Sequence, residues 1–179
     1  VVIDLQKGIV SMDTKPHAPA DVIKRAAELA KAVRAKGGPV FWVNVTPSAD
    51  RKDALASVTD TPPPSWGDMP ADWAELVPEI GREEGDFAIT KRQWGAFTGT
   101  ELDLQLRRRG IEMIILCGIS TNIGVESTAR FAYEYGYNQI FVEDACSASS
   151  PEEHAASVGK VFPRMGRVRS TEEVLAMLG

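Results

Sequence analysis

Asp4 closes an otherwise apolar run, Val1-Val2-Ile3-Asp4-Leu5, and is followed by Gln6. Burying a carboxylate costs several kcal/mol unless it is paired, so Asp4 needs a partner or a chemical purpose; the ordinary alternative is a cap or turn aspartate. Lys91 directly follows a second run, Phe87-Ala88-Ile89-Thr90, and leads into Arg92-Gln93-Trp94-Gly95-Ala96-Phe97, a loop carrying an amide, an indole and a phenyl ring. A third run, Met113-Ile114-Ile115-Leu116, is closed by Gly118 and turns through Ile119-Ser120-Thr121-Asn122-Ile123-Gly124 into a helical segment. If these runs are strands of one parallel sheet, their carboxyl ends converge. An Asp4–Lys91 pair then offsets the burial of the carboxylate, and the amide-rich helix start offers a ligand a place to bind.

The elements that must position these groups follow from the apolar patterning. Val40 to Val45, Gln139 to Glu143 and a short stretch at Val168 complete the strands, none of them long enough for a helix. Asp21 to Lys36 is helical, with Ile23, Ala26, Ala27, Ala30 and Val33 as its apolar stripe, and it stops at Gly37-Gly38. Asp72 to Ile80 reads as a short helix broken at Pro78, and Leu102, Leu104 and Leu106 mark another that ends at Gly110. Thr121 to Tyr135 carries Val125, Ala129 and Ala132 on one face and a Glu126–Arg130 pair on the other. Ser150-Pro151-Glu152-Glu153 and Ser170-Thr171-Glu172-Glu173 are helix starts. Strands alternating with helices predict a three-layer α/β/α, doubly wound, six-stranded, mostly parallel sheet. Thr46 to Gly67, which contains Pro62-Pro63-Pro64, has no periodicity and is expected to be a long functional loop, with Trp66 and Trp73 beside it.

Composition narrows the function classes. At 179 residues the chain is expected to form a single domain, and 44% hydrophobic with 25% charged residues is ordinary for a globular protein. No apolar run is long enough to span a bilayer, so no membrane partner is expected. A net charge of −5 argues against a nucleic-acid partner, and the run Arg107-Arg108-Arg109 is placed at a helix end, where cations complement the dipole. Two cysteines, Cys117 and Cys146, fit a reducing cytoplasm better than a disulfide scaffold. Cys117 is expected to be a core thiol, and Cys146 to lie at most near the rim of a site. With His17 and His154 as the only histidines, and no glycine-rich nucleotide motif, neither a metal nor another cofactor is expected.

Three ordered blocks are similar to the isochorismatase-like hydrolases: Val-Val-Ile-Asp-Leu-Gln at the start, Thr-Lys-Arg-Gln-Trp-Gly-Ala-Phe-Thr-Gly-Thr around Lys91, and Cys-Gly-Ile-Ser-Thr-Asn-Ile-Gly-Val-Glu-Ser-Thr-Ala-Arg in the centre. The likeness continues through Glu143-Asp144-Ala145, His154 and Phe162-Pro163-Arg164 and covers nearly the whole chain. It implies a six-stranded parallel sheet flanked by helices, and a homodimer or larger homo-oligomer whose partner subunits contribute to the pocket. Most members use an Asp-Lys-Cys triad, in which a thiolate attacks an amide carbon. Gly124 stands where that cysteine would be, so the nucleophile is missing. Glycine at this place also resembles the true isochorismatases, which cleave a vinyl ether by carbon protonation. This chain departs from them in having Gln93, Trp94 and Gly95 where Arg, Tyr and Ser would stand, and Asn122 where they carry His.

The resemblance therefore implies catalytic roles for Asp4 and Lys91, and substrate contacts from Gln6, Gln93, Trp94, Phe97, Ile119, Ser120, Asn122, Ile123 and Gly124. The substrate is expected to be a small carboxylated or amide metabolite. With Asp4 as general acid its pKa must be raised; with Asp4 as general base for water attack on an amide it must be depressed. A catalytically silent member that binds a small ligand, or a protein through the Pro-rich loop, is the third reading.

Overall fold

The computed structural model describes residues 1–61 and 65–179, so the Pro62-Pro63-Pro64 run lies outside it, as does the side chain of Trp66. Six strands form one sheet: β1 (Val2–Ile3), β2 (Phe41–Val45), β3 (Phe87–Lys91), β4 (Met113–Ile119), β5 (Asn138–Ser147) and β6 (Arg167–Arg169). Their order is β3-β2-β1-β4-β5-β6, and every pairing is parallel. The chain winds outward from β1 in one direction and then from β4 in the other. This puts the topological switch, where open α/β sheets bind ligands, between the carboxyl ends of β1 and β4.

The helices are α1 (Lys7–Val10), α2 (Pro19–Ala35), α3 (Leu102–Arg108), α4 (Glu126–Glu134), α5 (Pro151–Ala156) and α6 (Thr171–Leu178). Pro19 starts α2 at its first turn, and Ser150 and Ser170 cap α5 and α6, each with a reciprocal bond from the glutamate three residues on. On α2 the buried stripe is Val22, Ala26, Leu29 and Ala30, rotated from the Ile23–Val33 stripe expected from spacing. In α3, Leu102 and Leu106 are buried but Leu104 points to solvent. Val125, Ala129 and Ala132 are fully buried as expected, and Arg130 pairs with Glu126 at 2.9 Å on the outer face. The predicted helix at 72–80 is instead a set of turns with one 3-10 turn at Pro78–Ile80. Its Leu76 side bridges back to Gln6, which supplies hydrogen bonds that a helix would have made internally.

Two strand boundaries differ from expectation. Gly118 does not close β4; the strand continues to Ile119, and Gly118 adopts φ +126 at a register shift against β5. A bulge of this kind needs a residue without a side chain. A Cβ there would lie 2.1 Å from the Ile3 carbonyl oxygen, so β1 and β4 approach each other only because this residue is glycine. β5 runs on to Ser147, which takes Cys146 from the rim, where it was expected, into a fully buried strand position opposite Gly118.

Gly118→Ala combines a left-handed φ with a backbone overlap and is expected to cost at least about 3 kcal/mol in urea unfolding. Gly159→Ala, where a Cβ meets nothing within 4 Å, is the control. It should fall within about 1 kcal/mol of the parent. Equal effects at the two positions would contradict this account of the β1–β4 seam.

Candidate active site

β1 contributes only two residues before the backbone turns at Asp4, whose φ of 55° is left-handed. Aspartate tolerates that region better than most residues. The Asp4 amide still donates to the Val43 carbonyl at 2.9 Å, so the carboxyl is swung out of the strand while its backbone stays anchored to β2. Lys91, the last residue of β3, is 1% exposed and brings its Nζ to 2.7 Å from Asp4 Oδ2; the same Nζ donates to the Gln93 carbonyl at 3.2 Å. Asp4 Oδ1 is buried and has no hydrogen-bond partner among the described residues. The strand ends thus bring together the aspartate and lysine that sequence spacing predicts to pair.

Burial is the largest influence on the Asp4 carboxyl and raises its pKa to about 6, against the opposing charge and hydrogen bond of Lys91. One neighbouring cation does not offset the loss of water from a nearly enclosed carboxylate. A carboxyl in this state holds part of its proton near neutral pH.

The third strand end supplies the turn. After Ile119, the amide of Val125 donates to the Ser120 carbonyl at 3.1 Å, an i to i−5 bond, so Thr121–Val125 is one wide π-type turn ahead of α4. Such insertions are frequent at functional sites. Gly124 lies in this turn with its Cα facing Asp4: a Cβ there would sit 3.0 Å from Asp4 Oδ2, 2.9 Å from Ile3 Cγ2 and 3.6 Å from the Trp94 carbonyl oxygen. A side chain at 124 would therefore project directly against the carboxyl. With glycine, the turn packs close over the carboxyl without a side chain between them.

The other predicted residues divide by what their side chains do. Gln6 is fully buried and its amide is engaged in the frame: Nε2 donates to the carbonyls of Val45 and Trp73, and Oε1 accepts from the Val45 amide at 2.8 Å. Phe97 is buried and packs edge-on against Tyr135 at 5.5 Å between ring centres. Gln93 binds the carbonyls of Gly95 and Thr98 and so shapes the loop around Lys91. Ile119 is fully buried, whereas Ser120 and Ile123 are partly exposed beside the turn. Asn122 keeps a buried Oδ1 without a hydrogen-bond partner among the described residues, and Trp94 is 62% exposed next to Gly124. Among the described residues, Asn122, Trp94 and the Ser120 hydroxyl are the side chains of the set with hydrogen-bonding capacity left to meet a ligand.

Both cysteines are excluded as nucleophiles by their surroundings. Cys117 and Cys146 are buried in β4 and β5, and desolvation pushes the Cys117 thiol up to about 11 and the Cys146 thiol well above its ordinary value, which keeps both protonated.

Two supporting contacts were not legible in the sequence. Thr128 Oγ1 donates to the Gly124 carbonyl at 2.7 Å and accepts from the Ala96 amide at 3.1 Å, tying the turn to the Trp94 loop. Thr121 Oγ1 lies 2.9 Å from His154 Nδ1, and His154 in turn faces Glu143 and His17. Each joins residues far apart in the chain, and no local motif marks them. The start of the long loop is held by the same region, because Arg92 pairs with Asp53 at 2.7 Å and donates to the Thr46 carbonyl at 2.7 Å.

The sequence matches the isochorismatase domain over residues 1–173. It is 56% identical over 176 residues to the uncharacterized isochorismatase family protein YwoC of Bacillus subtilis, covering 98% of this chain and 90% of that one. The structure of an isochorismatase family protein from Burkholderia thailandensis superposes with a TM-score of 0.95 at 46% identity, over 99% of this chain and 93% of that one. A more distant relative, the ureidoacrylate amidohydrolase RutB of Methylobacterium radiotolerans, is 29% identical over 210 residues, covering 100% of this chain and 78% of that protein. The chain belongs to the isochorismatase family.

Lys91 is what opposes desolvation at Asp4, so Lys91→Met should drive the Asp4 pKa above about 6. A carboxyl whose folded pKa is raised above its unfolded value contributes stability that is lost as pH rises through the folded pKa. The parent has completed that loss by somewhat above pH 6. The variant should go on losing stability relative to the parent as pH rises further, by up to roughly 1.4 kcal/mol per pH unit. Urea unfolding at mildly acidic and mildly alkaline pH measures the difference, and a pH-independent difference would contradict the burial account.

Proposed function

We propose that this member of the isochorismatase family is a hydrolase that cleaves an enol ether on a small carboxylated metabolite, with Asp4 as general acid and no covalent cysteine intermediate. The reading is carried by one observation: a buried carboxyl whose pKa is raised to about 6 faces a turn that has no side chain at residue 124. A carboxyl that retains its proton near neutral pH is suited to donate it, and an efficient general acid has a pKa close to the working pH.

In this reading the Asp4 proton goes to the terminal methylene carbon of the enol ether. The double-bond electrons form the new C–H bond, and positive charge develops on the ether carbon as an oxocarbenium ion. Water adds to that carbon and returns a proton to the Asp4 carboxylate. The resulting hemiketal collapses by breaking the C–O bond, releasing a keto acid and an alcohol. One ether and one water are consumed, and Asp4 is regenerated. Lys91, 2.7 Å from Oδ2, orients the carboxyl and stabilises the carboxylate formed when the proton leaves. Gly124 puts no side chain between the turn and the carboxyl, and since even a Cβ there would touch Asp4 Oδ2 at 3.0 Å and Ile3 Cγ2 at 2.9 Å, the reacting carbon reaches the acid only when these neighbours give way.

The second reading is water attack on an amide with Asp4 as general base, favoured by the likeness to a ureidoacrylate amidohydrolase. It uses the ionised carboxylate, whose fraction grows as pH rises through about 6, so the two readings predict opposite pH dependences.

Keto-acid release from isochorismate and related enol-pyruvyl ethers is the test. The rate should fall as pH rises above about 6, following the protonated fraction of Asp4. Asp4→Asn, which keeps the left-handed backbone accessible, should lower it at least about 100-fold. A rate that instead rises through this range on an amide substrate would support the base reading. No turnover of any enol ether at any pH would overturn the acid reading.

A further inference from the structure

We propose that His17, Glu143 and His154 form a binding site for a divalent transition-metal cation of the zinc class, separate from the Asp4–Lys91 pair. The three residues come from the loop before α2, from β5 and from α5, and the fold brings one ligating atom of each within 4.8 Å of the others. Glu143 Oε2 lies 3.7 Å from His17 Nε2 and 3.8 Å from His154 Nε2. Two imidazole nitrogens and a carboxylate oxygen are the donor set that borderline divalent metals favour. Bonds of about 2.0–2.1 Å to one ion would bring such donors to roughly 3.3 Å apart, so the cluster needs to contract by a fraction of an ångström on its two sides to Glu143 and by up to about 1.5 Å between the imidazoles.

A separate observation points the same way. His17 Nε2 is buried and has no hydrogen-bond partner among the described residues, and it is aimed at Glu143. An imidazole nitrogen desolvated without a partner is costly in a histidine that serves only packing. The surroundings also hold the rings in place. The His17 carbonyl accepts from Thr14 Oγ1 at 3.0 Å and Ser147 Oγ at 2.7 Å, which fixes the loop. His154 Nδ1 is 2.9 Å from Thr121 Oγ1, so a proton on Nδ1 donated to that hydroxyl leaves Nε2 free to ligate. A partner on the second ring nitrogen is the usual support of a metal-bound histidine.

Among the described residues, Arg25 is the cation in contact with the cluster, with Nη1 3.5 Å from His17 Nδ1. Its short bond goes to the Asp144 carbonyl at 2.7 Å, and its Nε pairs with the Asp144 carboxylate at 3.4 Å. Its charge is thus countered by Asp144, and ligation through His17 Nε2 requires Arg25 Nη1 to move off His17 Nδ1 so that this nitrogen can carry the proton. The side chains of Glu143 and His17 are 38% and 23% exposed, which gives an ion a route in from solvent. Through Thr121, a bound ion would brace the first residue of the turn that holds Gly124. Three protein donors leave a further coordination position for water.

The test is titration of the chelator-stripped protein with Co²⁺ at mildly alkaline pH, read by visible absorption, with thermal unfolding alongside. One equivalent should bind with the absorption of a tetrahedral or five-coordinate site and raise the unfolding temperature. His17→Ala and Glu143→Gln, at partly exposed positions whose replacement is checked by circular dichroism, should each weaken binding at least 10-fold. Thr121→Val, which removes only the support of His154, should weaken it about 10-fold. The proposal is overturned by the absence of stoichiometric binding, or by binding of one equivalent that His17→Ala and Glu143→Gln leave unchanged. It is also overturned if acidification stabilises the protein while Co²⁺ does not, since the histidines then only pair with Glu143 when protonated.

Discussion

The buried contact between Asp4 and Lys91 is the constraint on which the rest of this site depends. Two groups that favour water are held at 2.7 Å with 7% and 1% of their side chains exposed. Neither could stay there alone without a cost of several kcal/mol. The backbone is shaped to allow the contact. β1 stops after two residues, Asp4 takes a left-handed conformation, and Gly118 in β4 lets the neighbouring strand come close enough to leave no room for a side chain. The wide turn after β4 then sets Gly124 over the carboxyl. The sheet order places all of this at the topological switch, so the meeting of these groups follows from the direction in which the strands are wound.

The turn after β4 presents no side chain to Asp4, because residue 124 is glycine. A residue there faces Asp4 directly, and the two cysteines that the chain does contain are held in strands where burial keeps their thiols protonated. The remaining reactive group is the carboxyl itself, whose proton affinity is set by a contest between lost hydration and one nearby cation. The loss of hydration wins that contest and raises the pKa. The choice between acid and base chemistry is therefore an electrostatic one, made by how tightly the protein closes around Asp4.

Much of this was legible in the sequence, for identifiable reasons. Continuous apolar runs reveal strands buried on both faces, and a lone carboxylate or lysine at the end of such a run stands out because its burial is so unfavourable. The Val125, Ala129, Ala132 stripe was likewise readable from spacing. What was not readable depends on non-local packing. The bulge at Gly118 arises from the closeness of Ile3, which spacing does not encode, and it carries β5 onward to bury Cys146. The stripe on α2 was misplaced by a fraction of a turn because alanines on neighbouring faces give the same pattern. Gln6 reads as a substrate contact from its place beside Asp4, yet its amide is taken up by the carbonyls of Val45 and Trp73. His17, Glu143 and His154 gave no signal because they are spread along the chain and meet only after folding.

The measurement that bears most directly on the central claim is an NMR titration of the Asp4 carboxyl carbon in the folded protein, assigned by comparison with Asp4→Asn. The account predicts a midpoint near pH 6, well above that of an ordinary aspartate, because burial outweighs Lys91. A midpoint below the ordinary aspartate value would mean that the lysine dominates. Asp4 would then be a carboxylate at every pH of interest, and the acid mechanism would be contradicted.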